Sequence, residues 1–179
     1  MDKEEFLESF CRHEEEKHSS AERVSGGLVR YERRRNVEFK SGARAVRVDL
    51  LEKCYHAKGV TCTLCEVVPS FAEIDVGELI SGAKEKAQIF MRCEGVEQCT
   101  VNIVIPPSPG MIMELGEHIS EMLRLGNFAV TVYDAKSGRM GMFLIEEDFL
   151  SELREDPDYK GMSDAEIFTN FMMNYAELL

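Results

Sequence analysis

The chain has 179 residues, 44% apolar and 30% charged, with a formal charge of -12; this composition excludes a disordered chain and predicts one ordinary-sized domain with a real core. The acidic balance weighs against a surface built to hold phosphates, so nucleic acid is not the expected partner. No apolar run approaches the roughly 20 residues of a membrane span, and the opening MDKEEFLESFCRHEEEKH is polar throughout, so a soluble, cytoplasmic protein with no membrane partner is expected.

Residues 1–26 read as an N-terminal helical arm and 27–179 as a single α+β domain. The arm carries a weak apolar stripe on Phe6, Leu7 and Phe10, with helix to about residue 23, and runs into the loop Ser25-Gly26-Gly27. Next comes a basic strip holding Arg30, Arg33, Arg34, Arg35, Lys40, Arg44 and Arg47, seven of the 21 basic residues. It either faces the acidic arm (Asp2, Glu4, Glu5, Glu8 and Glu14 to Glu16) or forms one solvated strand face. The sharper alternative is a phosphate or nucleic-acid site on Arg33, Arg34 and Arg35. Within the strip, NVEF and AVRVDLLEKCY suggest a β-hairpin across KSGAR, although residues 43–57 also scan as a helix.

The segment CYHAKGVTCTLC raises the question of a metal. A hairpin with a three-residue loop at 57–59 sets Cys54 opposite Cys62 and His56 near Val60, so two thiols and an imidazole converge. With Cys65 they make a candidate zinc set: Cys54, His56, Cys62 and Cys65. Cys62 and Cys65, three apart, fall on opposite faces of a regular strand, which favours buried thiols over ligands. His13 and His18 are five apart on the arm and face different ways.

From residue 59 the pattern alternates. GVTCTLCEVV reads as a strand; Asp75 and Glu78 form a capping box for a helix over about 76–87. QIFMRCE and CTVNIVI read as a hairpin across EGVEQ, with Cys93 and Cys99 as cross-strand neighbours. Ser108 caps and Pro109 opens a helix whose stripe of Ile112, Leu115, Ile119, Met122 and Leu123 ends at Gly126. FAVTVYD and MGMFLI form a hairpin across DAKSGR, and Ser163 with Glu166 starts a C-terminal helix carrying Ile167, Phe168, Phe171, Met172 and Tyr175. Strand, helix, strand, strand, helix, strand over residues 59–134 is the ferredoxin-like split βαβ order (βαββαβ), here with an extra hairpin strand, the helical arm with its possible β-hairpin, and the C-terminal helix.

Residues 99–145, CTVNIVIPPSPGMIMELGEHISEMLRLGNFAVTVYDAKSGRMGMFLI, resemble the ACT type of regulatory module in having a strand, a Pro-Gly at the helix start, a glycine at its end and a following hairpin. The resemblance implies oligomerisation and a small regulatory ligand at an interface between paired domains; the open margins of such a sheet, which tend to pair, favour a homodimer. It departs from the pattern in ending on a helix with no final strand.

No P-loop, GxSxG, HExxH or Rossmann glycine triplet occurs. Six cysteines without a secretory pattern read as reduced thiols. The helix start after PPSPG offers free amides and a favourable dipole to an anion, which makes Ser108 and Gly110 candidate ligand-binding residues. The expected function is a non-catalytic cytoplasmic protein, regulatory or accessory, that binds a small molecule or a protein partner. The alternatives are a metal-binding or thiol-dependent protein and the arginine-strip binder.

Overall fold

The chain is described from a computed structural model, which covers the backbone of residues 1–21, 28–42, 44–56 and 59–179, and the side chains of these apart from 14–21, 28–30, 41, 44 and 56. The loop Ser25-Gly26-Gly27 and the tip Ala57-Lys58 lie outside the described residues, as do the side chains of Glu14, Glu15, Glu16, His18, Arg30, Arg44 and His56.

Helix α1 (Lys3–Ala21) leads into three strands, β1 (Leu28–Ser41), β2 (Arg44–His56) and β3 (Gly59–Val67). Then come α2 (Val76–Glu94), β4 (Cys99–Ile105), α3 (Pro109–Glu117), α4 (Ile119–Leu125), β5 (Phe128–Asp134), β6 (Arg139–Ile145), α5 (Glu147–Glu155) and α6 (Asp164–Ala176). The strands form one mixed six-stranded sheet whose spatial order follows the chain, β1 to β6. The pairs β1–β2, β2–β3 and β5–β6 are antiparallel; β3–β4 and β4–β5 are parallel. Among the described residues no helix is long and apolar enough to cross a membrane.

The expected strand at 88–94 is the second half of α2. Its β-branched and aromatic content favours a strand locally, but Ile89 and Phe90 continue the buried face of Val76, Ile80, Ala83 and Ala87, and Gly95 at φ 64 closes the helix. Burying a helical stripe outweighs the local propensity. Cys93 is therefore an exposed helical residue, not a cross-strand neighbour of Cys99. Because α2 carries the chain back across the sheet, β4 joins β3 in parallel and no strand is inserted between them. The ferredoxin-like split order is thus replaced by adjacent parallel strands β3, β4 and β5. The same holds for the ACT-like stretch: its elements are present, but β5 pairs directly with β4 and β6 lies outside.

Both faces of the central strands are covered. Cys99, Val101, Ile103 and Ile105 of β4 and Phe128, Val130 and Val132 of β5 meet α2, α3, α4 and α6 in the larger core. The alternate residues Val104 and Tyr133, with Leu50, Cys65 and Val67, meet Phe6, Leu7, Phe10 and Cys11 of α1. This two-sided covering accounts for the near-continuous apolar run of CTVNIVI. The helix expected from Pro109 to Gly126 breaks at His118 (φ -101, ψ 7) into α3 and α4. Just before the break, α6 packs so closely that a Cβ on Gly116 would collide with Thr169 Oγ1. The Ser163–Glu166 capping box is formed as expected, and it starts α6.

Candidate functional site

The register of β2 and β3 decides the fate of the cysteine segment. His56 pairs with Gly59, Cys54 with Thr61 and Lys53 with Cys62. The connection is one residue shorter than the three-residue loop expected, and a shift of one residue turns every side chain to the other face. Cys62 consequently lies in the core beneath α2, while Cys65 is sealed under α1. Cys54 pairs with Thr61, whose alternate neighbours lead along the strand to Cys65, so it too faces away from Cys62. The structure does not bring Cys54, Cys62 and Cys65 together, and among the described residues no group of three His, Cys, Asp or Glu could hold a metal ion. Cys62 has Cys99 as its neighbour on β4, both free thiols. Burial pushes the Cys99 thiol up to about 12, with the nearby Cys62 adding to the shift.

The arginine strip divides into a structural and a solvated part. Arg33 donates to Glu52 Oε1 from Nε (3.0 Å) and Nη2 (2.7 Å), and from Nη1 to the Cys11 carbonyl (2.9 Å). Tyr31 donates to the same Glu52 oxygen at 2.7 Å. Burial and then the Glu52 charge raise the Tyr31 pKa. Burial alone would lower that of Arg33, but the attraction of Glu52 overcomes it and the net direction is upward. This cluster ties α1 to the β1–β2 ribbon, so Arg33 is occupied within the fold. Arg34 and Arg35 are exposed, with Arg34 3.5 Å from Glu32 Oε2.

Ser108 and Gly110 stand elsewhere, at the carboxyl ends of the parallel strands. Here Pro69 follows β3, and Pro106, Pro107 and Ser108 follow β4. With Met1, Phe6, Asp134, Ala135 and Lys136 they line a cavity of about 320 Å³. Such a crevice outside the carboxyl ends of parallel strands is where open α/β sheets commonly take ligands. Ser108 makes no side-chain capping bond to α3, and Pro109 has no amide hydrogen. The first intrahelical bond runs from Ile112 N to Ser108 O (3.0 Å), so the amides of Gly110 and Met111 precede the helical ladder. A Cβ added at Gly110 would meet nothing within 4 Å.

Two charges border the cavity. Asp134 accepts from the amides of Lys136 (3.0 Å) and Ser137 (3.2 Å). Hydrogen bonding from Ser137 is the main cause that holds its carboxyl below the usual range. Its oxygens thus serve the β5–β6 turn. The Lys136 ammonium has no ion-pair partner among the described residues. The cavity therefore offers one cation and a hydroxyl over a floor of Phe6 and three prolines, and the uncapped amides of Gly110 and Met111 follow Ser108 in the chain just beyond its lining. A second hollow, lined by His13, Arg139, Tyr175 and Leu178, is less suited, because the Arg139 guanidinium already donates to the Leu178 carbonyl at 3.2 Å.

Sequence reasoning found Ser108 and Gly110 but missed Phe6, Pro69 and Lys136. The legible signal was the repeated strand-to-proline exit, Val68-Pro69-Ser70 and Ile105-Pro106-Pro107-Ser108. Compared with family models, with curated proteins and with solved structures, the chain matches none.

Proposed function

We propose that this is a non-catalytic ligand-binding protein of the cytoplasm, and that its ligand is a small molecule with an apolar body and one carboxylate or phosphate group. The observation that carries the reading is the cavity at the ends of β3, β4 and β5, where the uncapped start of α3 and Lys136 border an apolar floor. A volume of about 320 Å³ suits a ligand of metabolite size. The anionic group lies against Ser108, Gly110 and Met111, where the helix dipole favours negative charge by about 0.3–1 kcal/mol at an exposed site. Six free thiols, four of them buried, suit a reducing compartment.

A thermal-shift comparison of matched carboxylates, phosphates and neutral amides tests this. Anionic compounds are expected to raise Tm where their neutral analogues do not, and Lys136→Ala is expected to reduce that rise. Equal shifts for charged and neutral analogues, or none at all, would reject the reading.

A further inference from the structure

The two edges of the sheet differ in kind. Edge β1 exposes Arg34, Arg35, Glu38 and Lys40, and Asn36 at φ 50 interrupts its regular course. Such features discourage the addition of another strand. Edge β6, RMGMFLI, has a single charge at Arg139 and no proline.

Register shows which backbone groups β6 leaves open. Val101 N donates to Asn127 O, so the odd-numbered residues of β5 turn toward β4 and the even-numbered ones toward β6. Their partners Gly141, Phe143 and Ile145 are engaged there. Met140 must then point off the edge, and its carbonyl does accept from the Tyr175 hydroxyl at 3.1 Å. Met142 and Leu144 share that direction, and their outward amides and carbonyls have no partner among the described residues. Their side chains are 55% and 46% exposed, on the face of the sheet away from α6.

We propose that β6 is a homodimer edge, at which two copies pair antiparallel about a twofold axis through Phe143. This register is self-complementary: Met142 and Leu144 of one copy exchange backbone hydrogen bonds with Leu144 and Met142 of the second. The four apolar side chains meet on one face. Tyr175, already on the Met140 carbonyl, limits the pairing to this short stretch. With about four hydrogen bonds and less than the roughly 1,200 Å² of a standard interface, the dimer is weak, with a Kd on the order of 10⁻⁴ M.

Sedimentation equilibrium of the full chain, from about 10 µM to about 1 mM, brackets that affinity. The weight-average mass is expected to climb from 20.3 kDa toward twice that value. Met142→Lys and Leu144→Lys, both at solvent-facing side chains, are each expected to weaken association at least tenfold. In parallel, hydrogen exchange at the Met142 and Leu144 amides of the unaltered chain is expected to slow as concentration rises. A mass fixed at 20.3 kDa throughout, association unchanged in both variants, or exchange at these amides independent of concentration would each overturn the proposal.

Discussion

Replacing Arg33 with methionine probes the joint between α1 and the β1–β2 ribbon. The Arg33 side chain is 7% exposed and that of Glu52 15%, with 2.7 Å between them. Methionine preserves much of the stem's packing but removes three donors, two to Glu52 and one to the Cys11 carbonyl. Glu52 then keeps its bond from Tyr31, so the loss falls at the lower end of the roughly 3–5 kcal/mol for breaking a buried ion pair: about 3 kcal/mol. With a urea m-value of about 2 kcal/mol/M, the unfolding midpoint falls by about 1.5 M, read by circular dichroism. Adding Glu52→Leu to Arg33→Met is expected to recover part of the loss, because it removes the stranded carboxylate. A destabilisation of Arg33→Met below about 0.5 kcal/mol would refute the reasoning and make the pair no stronger than a surface bridge.

Other positions give further tests. Gly141→Ala puts a Cβ into the Tyr175 ring and is expected to cost about 1–3 kcal/mol, measured by chemical denaturation. Glu66, whose carboxyl is raised above its ordinary 4.5 by burial despite its bond from Lys86 (2.7 Å), holds its proton more tightly folded than unfolded. Its contribution to stability is therefore fullest below the unfolded value and declines as pH rises through the folded one; Glu66→Gln is expected to flatten that decline in denaturation profiles run from about pH 4 to about pH 7. Brief alkylation followed by mass spectrometry is expected to mark the exposed Cys93 well before Cys11, Cys62, Cys65 and Cys99, which are buried.

Elements with strong local endings were legible in the sequence. The β5–β6 hairpin follows from two strand-like runs around DAKSGR, and α6 follows from its capping box and apolar stripe. The second half of α2 was not legible, because Gln88 to Glu94 has strand-favouring residues and only the core opposite Ile89 and Phe90 makes it helical. That one element changed the whole topology, since it converts a hairpin into a parallel crossover. Cys54 and Cys62 diverge for a subtler reason: one residue of loop length separates their convergence from their placement on opposite faces. Ser108, which lines the cavity, and Gly110 two residues on were visible as a helix start. Phe6, Pro69 and Lys136 come from three distant segments, and only folding brings them to the same carboxyl ends.

The central claim is that the cavity at the start of α3 takes an anionic ligand. The most direct measurement is an amide chemical-shift titration of the isotope-labelled full chain with inorganic phosphate and then small apolar carboxylates, at constant ionic strength and pH. The account predicts saturable shifts concentrated at the amides of Ser108, Gly110, Met111 and Lys136, and weaker in Lys136→Ala. Shifts that never saturate, or that gather on the exposed arginines of β1 instead, would contradict it.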